Sequence, residues 1–336
     1  MKAVGVHAVL RWTAAGLYHT GLIRPLSMAL GYAGRTQAFQ VLTYHRVNDD
    51  RDPFFPAVST DVFERRLAYI ARTYRVLTVE ELIERMQRGA LPRNALAITF
   101  DDGYRDNLTY AAPILARYGL PATIFLATGL IGTAAALWYD RLALAFKVTK
   151  ALSFESPWGE TLSLTSSGDR VRALARTLLY LKQMPDDNLC RTLDRLLKLF
   201  GVTDHEYFKD LMLSWEDVHT LTKVGFSIGA HTVNHPILSR ISAQRAWREI
   251  LDSRTMIEAA GFHHPRAFAY PNGMPGDYTE TVKTLVREAG FTCAVTTRFG
   301  INTRETDVYE LRRGGPWEEH LPTYALKLAW YRQATV

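Results

Sequence analysis

Short apolar segments rich in β-branched and aromatic residues recur along the chain from residue 40, and most end in polar residues or a turn. They are 40–44 (QVLTY, before His45), 95–100 (ALAITF, before Asp101), 122–127 (ATIFLA), 226–230 (FSIGA, before His231), 267–270 (AFAY, before Pro271), 292–296 (TCAVT) and 308–311 (VYEL, before Arg312). Near-continuous apolar runs of this length predict strands buried on both faces. Between them the periodicity predicts helices. Residues 60–74 begin at a Ser59 or Thr60 cap, and 78–88 run from Thr78 to a stop at Gly89. Three more, 107–118, 242–260 and 279–289, each end before a glycine (Gly119, Gly261, Gly290). Such alternation predicts a parallel α/β fold. Seven strands with polar residues gathered at their C-terminal ends predict a (β/α) barrel, whose chemistry sits at that rim. A doubly wound open sheet is the alternative.

The rhythm breaks over residues 131–215. There 154–164 (FESPWGETLSL) reads as a hairpin around Pro157-Trp158-Gly159, and 170–200 as helices split at Pro185. The chain therefore divides into an N-terminal helical extension (1–39), a barrel (40–130 and 216–336) and a mostly helical insertion (131–215). Without extension and insertion roughly two hundred residues remain, enough for a small barrel.

The extension has an unusual charge pattern. It holds no acid: the first in the chain is Asp49, after Lys2, Arg11, Arg24, Arg35 and Arg46. His7, Arg11 and His19 interrupt the apolar run, so no cleaved signal peptide is read. An acid-free helix carrying Leu10, Trp12, Leu17 and Tyr18 suits a membrane interface or a face of the domain, and both readings stay open. Leu22, Ile23, Leu26, Met28 and Leu30 continue the apolar character, and Pro25 ends or kinks the helix. The expected location is cytoplasmic, either free or peripheral to the inner face of the membrane.

Composition narrows the classes further. With 47% apolar and 22% charged residues the chain is neither disordered nor fibrous. No run approaches the roughly 18 apolar residues of a membrane span, which excludes a polytopic membrane protein. Cys190 and Cys293 cannot form a disulfide framework and are read as buried thiols, a single bridge being the alternative. The net charge of +6 comes without a basic–aromatic stripe, so no nucleic-acid partner is expected.

Two segments carry the chemistry. In Thr99-Phe100-Asp101-Asp102-Gly103, adjacent carboxylates follow a buried strand, which is costly unless a cation or a task holds them there. The competing reading is an ordinary Asp-Gly turn. In His231-Thr232-Val233-Asn234-His235, the i,i+4 spacing puts both imidazoles on one face if a helix starts here. Two His plus one carboxylate make a facial triad with open positions, and the second carboxylate is then free to act as general base. Zinc is the default ion for such a set, and nickel, cobalt or iron fit the same ligands.

TFDDG at 99–103 and HTVNHP at 231–236 resemble the first two motifs of the polysaccharide deacetylases with a NodB-homology domain, carbohydrate esterase family 4. The resemblance covers roughly 40–130 and 216–315. It implies a distorted (β/α) barrel of about seven parallel strands and metal-dependent removal of an N- or O-acyl group, N-acetyl first, from a sugar of a polysaccharide or glycan precursor. Metal-bound water attacks the acyl carbonyl, with Asp101 as catalytic base and Asp102, His231 and His235 as metal ligands. The third motif departs from the common form: Ala269, in Phe268-Ala269-Tyr270-Pro271-Asn272-Gly273, stands where many members carry an Arg that orients the base. Arg312 or Arg313 is the candidate replacement, and Arg266 a weaker one.

The family's usual Leu-x-His near the C-terminus is also absent, and His320 does not match it. His45, in Tyr44-His45-Arg46-Val47, resembles the corresponding element of the poly-N-acetylglucosamine deacetylase branch, whose motif order is permuted, and is the expected general acid. Tyr104, Tyr270, Asn272, Arg312 and Arg313 are candidate substrate-side residues, and the backbone N–H near Asn272 is the oxyanion donor in the family scheme. Asn107 and an aromatic platform at Trp138-Tyr139-Asp140 are further candidates. The remaining histidines (His7, His19, His205, His219, His263, His264) are read as surface or packing residues. Two alternatives stay in view: a deacetylase or deformylase of a lipid-linked sugar at the membrane face, and a catalytically inactive sugar-binding module.

Overall fold

The computed structural model describes residues 2–23, 37–202, 207–263 and 265–331. Expectations about Arg24, Pro25, Leu26, Met28, Leu30, Arg35, His205 and His264 fall outside these residues. The strands are β1 (Ala38–Tyr44), β2 (Arg75–Val76), β3 (Ala95–Phe100), β4 (Ala122–Leu126), β5 (Ser153–Glu155), β6 (Thr161–Ser163), β7 (Phe226–Ala230), β8 (Ala267–Ala269), β9 (Cys293–Val295) and β10 (Asn302–Thr303). One curled sheet runs β10-β1-β3-β4-β7-β8-β9, with β2 also on β3. All its pairs are parallel except β1 with β10. The molecule is therefore a distorted (β/α) barrel.

Closure differs from expectation. Residues 308–311 do not form a strand, because Asp307 turns the chain: its carboxylate accepts the Tyr309 N–H at 2.9 Å and its carbonyl the Glu310 N–H at 2.9 Å. Only Leu311 bridges to Val295 of β9, and the Gly314 N–H then reaches Val41 of β1 at 3.0 Å. An irregular segment thus joins the two edges of the curled sheet. The short β2 supplies the seventh parallel strand instead.

The helices are α1 (Lys2–His19), α2 (Thr60–Thr73), α3 (Val79–Gln87), α4 (Ala112–Arg117), α5 (Trp138–Val148), α6 (Ser167–Leu181), α7 (Asp186–Leu199), α8 (Trp215–Lys223), α9 (Ala243–Ala259), α10 (Glu280–Glu288) and α11 (Leu321–Tyr331). Ser59 caps α2, and a Thr78–Glu81 capping box starts α3. The expected single helix over 107–118 begins instead as a π turn, Asn107–Ala111, which leads into α4. Pro113, with no N–H to donate, stands where the two meet.

Four clusters of buried apolar side chains form among the described residues, and the two largest frame the site. Leu42, Ile98, Phe100, Ile124 and Phe268 belong to the barrel core. Leu142, Phe146, Phe154, Leu174, Leu193 and Phe200 form a second core within 131–215, and Phe54 and Phe55 from the β1–α2 loop pack into it. Each such side chain contributes about 1.5–3 kcal/mol when fully buried. That loop is thereby tied to α5–α7, which matters because it begins at His45. The α1 helix packs against α11, with Ala14 buried and Leu17 and Tyr18 against the barrel core, while Trp12 is 80% exposed. No described helix is long and apolar enough to cross a membrane. Both cysteines are free, and Cys190 is exposed, contrary to the buried pair expected.

Candidate active site

Strand β3 delivers Asp101 and Asp102 to the C-terminal rim. Two consecutive left-handed residues, Asp102 (φ 76°) and Gly103 (φ 92°), then turn the chain sharply. The left-handed φ favours glycine at 103, where a Cβ would also press on the Ile131 side-chain tip at 2.8 Å. His231 follows β7 directly. The two histidines do not share a helix as expected: residues 231–236 form a loop in which Thr232 (φ 65°) and His235 (φ 58°) are left-handed. Glu249 of α9 holds that loop, accepting from the Val233 and Asn234 N–H groups at 3.0 and 2.8 Å and from the Asn234 amide at 2.9 Å. The imidazoles still converge, with ring centroids 4.7 Å apart.

The adjacent carboxylates, both almost fully buried, live in opposite surroundings. Asp101 accepts two bonds from Arg313, at 2.7 and 2.5 Å. Arg313 is itself buried and further fixed by Thr296 O at 2.8 Å and Thr99 Oγ1 at 3.2 Å. Burial alone would raise the pKa of Asp101, but the guanidinium overrides it and brings it down to about 2. For Asp102, burial and the neighbouring Asp101 charge push the pKa well above its ordinary value. Tyr139 of α5 donates to its Oδ2 at 2.8 Å, whereas Oδ1 is buried without a partner. That orphan oxygen lies 3.6 Å from His231 Nε2 and 3.5 Å from His235 Nε2.

The imidazoles are set up as lone-pair donors. His231 Nδ1 pairs with the Ala269 carbonyl at 2.7 Å, which makes it the protonated nitrogen and leaves the Nε2 lone pair toward Asp102. Burial lowers the pKa of His231 to about 4 and that of His235 well below the usual value, so both rings are neutral near pH 7. A carboxylate oxygen without a hydrogen bond beside two neutral imidazole nitrogens, all within 4.8 Å of one another, is a set that can hold a metal ion. Position 269 contributes a carbonyl to this arrangement and Arg313 reaches the site from the closing segment.

Asp101, Asp102, His231 and His235 line a cavity of about 590 Å³ together with His45, Tyr104, Tyr139, Lys182 and Asn272. His45 Nε2 lies 3.9 Å from Asp101 Oδ2, with 45% of the side chain open. Asn107 holds the His45 backbone carbonyl at 2.8 Å and so supports the loop rather than meeting the cavity. Tyr104 forms a wall, its hydroxyl donating to Asp140 at 2.8 Å. Burial pushes the Asp140 carboxyl up to about 7. Asn272 adopts φ 61°, and its N–H makes no hydrogen bond among the described residues. Lys182, at the end of α6, donates to Asn272 Oδ1 at 2.6 Å and ties the insertion to the barrel rim.

Tyr270 also lines the cavity, although its side chain is buried: its ring stacks on Tyr278 at 4.4 Å and its hydroxyl donates to the Tyr309 carbonyl at 3.0 Å. Two candidates lie elsewhere. Arg312 points away from the cavity, where its backbone pairs with Asn302 and its side chain packs on Gly300. Arg266 pairs with Glu84. Arg313 meets Asp101 rather than the cavity, so it is not a substrate-side residue. His219 stacks on Phe262, and His320 bonds Thr323 at the start of α11. Within Trp138-Tyr139-Asp140, Trp138 packs on the second core and only Tyr139 and Asp140 line the cavity. The roles of Tyr139 and Lys182 escape sequence reading, because each depends on where a distant helix lies.

The family model for polysaccharide deacetylase matches residues 88–294. The Bacillus subtilis protein YxkH, named as a polysaccharide deacetylase, is 22% identical over 275 residues, which cover 81% of this chain and 69% of that one. A poly-beta-1,6-N-acetyl-D-glucosamine N-deacetylase of Staphylococcus epidermidis is 32% identical over 107 residues, covering 27% of this chain and 37% of that enzyme's length. Among solved structures, IcaB from Ammonifex degensii aligns with a TM-score of 0.56 at 19% identity, over 89% of this chain and 99% of its own. The Streptococcus pyogenes deacetylase PplD, solved with acetate, aligns with a TM-score of 0.56 at 20% identity, over 82% and 91%.

Proposed function

The chain belongs to the polysaccharide deacetylase family, and from that premise we propose that it is a metal-dependent hydrolase removing an N-acetyl group from a sugar of a polysaccharide or glycan precursor. The observation that carries this reading is the contrast between the two adjacent carboxylates, one neutralised by Arg313 and one with a bare oxygen beside two imidazoles. Asp102, His231 and His235 hold the divalent ion, with zinc the default for these donors. Such an ion supplies Lewis-acid polarisation of the acyl carbonyl and makes water more acidic. Asp101, kept ionised by Arg313, accepts the proton of the attacking water. His45, on the open side of Asp101, delivers a proton to the departing amine as the C–N bond breaks. The free N–H of Asn272 is the available donor for the developing oxyanion.

A second substrate with the same chemistry is a lipid-linked sugar, favoured by exposed Trp12 on α1 and by the apolar cavity wall of Phe54, Phe55 and Leu174. One experiment tests both. Acetate release is measured on N- and O-acetylated sugars, a lipid-linked one included, after chelation and after metal add-back. Metal-restored release is expected, with D101N slower by roughly 10²–10⁴-fold while it still binds metal. H235A should lose the metal. Substantial turnover by D101N would sink the role given to Asp101. Release confined to the lipid-linked compound would select the second substrate.

A further inference from the structure

Another charged group that lines the same cavity takes no part in the chemistry above. Arg66, on α2, is only 3% exposed. Its guanidinium lies 4.8 Å above the Tyr324 ring, and one nitrogen donates to the Glu318 backbone carbonyl at 3.0 Å. Its Nε is buried without a partner, and among the described residues no carboxylate pairs with it. The Glu318 carboxylate pairs with Lys327 instead. Two other arginines inside the molecule are treated differently: Arg313 has Asp101, and Arg46 has Asp106 at 2.9 Å.

Arginine cannot discharge by losing its proton, so a buried guanidinium without a counter-charge is costly unless something supplies one. The Tyr324 ring face offsets part of that cost, and the cavity is open for the rest. Trp317, 65% exposed on the same cavity wall, shares with Arg66 a small recess beside Tyr44 and Tyr324. A guanidinium next to an accessible indole suits a sugar ring that carries a negative group. Glu319 also lines the cavity and opposes an anion, but its exposed charge is screened by salt.

We propose that Arg66 forms an oxyanion subsite, binding a carboxylate or phosphate carried by the sugar substrate. The substrate class becomes an acylated, anionic saccharide. This rests on the deacetylase reading of the cavity but is tested without turnover. The chelator-treated full chain, so that the metal cradle contributes nothing, is titrated by calorimetry with glucose, glucuronate and glucose 6-phosphate. At least one anionic sugar should bind about tenfold or more tightly than glucose, the size of one charge-assisted hydrogen bond. R66M should abolish that preference without lowering the melting temperature. R66Q serves if R66M does not fold.

Preference for glucuronate alone assigns an acidic polysaccharide, and preference for the phosphate alone assigns a phosphorylated sugar. Either supports the subsite. Equal binding of all three sugars, or an anion preference that survives removal of the charge, overturns it. Failure of the deacetylase reading would show separately, as absent acetate release in the presence of metal.

Discussion

On the barrel side of the cavity, most working groups stand at a strand end or within two residues of one: His45 after β1, Asp101 and Asp102 after β3, His231 after β7. On the insertion side the groups come from helices: Tyr139 and Asp140 from α5, Lys182 from the end of α6. The difference is one of tolerance. A strand end is fixed by the ladder behind it, as with the six registered pairs of β1 and β3, so Asp101 cannot drift without breaking the sheet. A helix packed through its own apolar core has no such ladder, and α5–α7 are set against the barrel by individual side-chain bonds, among them Tyr139 to Asp102, Tyr104 to Asp140 and Lys182 to Asn272. On the proposed reading the barrel would carry the reaction, and the insertion supplies a bond to Asp102 and part of the cavity wall.

This contrast breaks most visibly at Arg313. Replacing it with methionine leaves Asp101 buried without a counter-ion and should cost about 3–5 kcal/mol, read by urea unfolding at neutral pH. Asp101 is held near 2 in the fold against an ordinary 3.8, so its stabilisation is present above the ordinary value and fades as pH falls toward 2. In R313M that acid-dependent part disappears, and the acidic limb of acetate release moves to higher pH. Unchanged stability and an unchanged limb would remove Arg313 from the account of the base.

A smaller effect belongs to the insertion. In Y139F the hydroxyl bond to Asp102 Oδ2 is lost while the ring still packs against His235, so metal affinity should drop about 10–100-fold with little change in melting temperature. A competition titration against a coloured chelator reads this directly. Unaltered affinity would mean that the insertion has no share in the cradle. The smallest effect is expected for K182M, where one bond across the cavity worth about 1 kcal/mol is lost. KM should rise several-fold, with kcat and metal content unchanged.

Much of the floor is legible because each apolar run ends abruptly in a chemical residue, and a strand end must point its last side chains at the rim. Less is legible where the backbone does something local. The His231–His235 spacing suggests one helix face, yet Thr232 and His235 take left-handed conformations that Glu249, from another element, holds in place. Of the two adjacent arginines, sequence cannot choose, and the turn at Asp307 sends Arg313 inward and leaves Arg312 against Gly300. Tyr270, read as a substrate-side residue, does line the cavity, but its stacking on Tyr278 and its bond to the Tyr309 carbonyl depend on distant segments that the sequence does not bring together. Lys182 reads as an ordinary cation at a helix end, and only the meeting of α6 with the barrel makes it a cavity residue.

The irregular segment from Leu311 to Gly314 has one more consequence. It joins the edges of the sheet between β9 and β1, and in the same four residues it brings Arg313 to Asp101. The segment that completes the ring is therefore also the one that supplies the cation keeping buried Asp101 ionised. A nascent or partly opened molecule can already contain every motif residue from His45 to His235 and still lack an ionised base in a dry pocket. On the proposed deacetylase reading, acetate release should therefore report whether the last segment has seated.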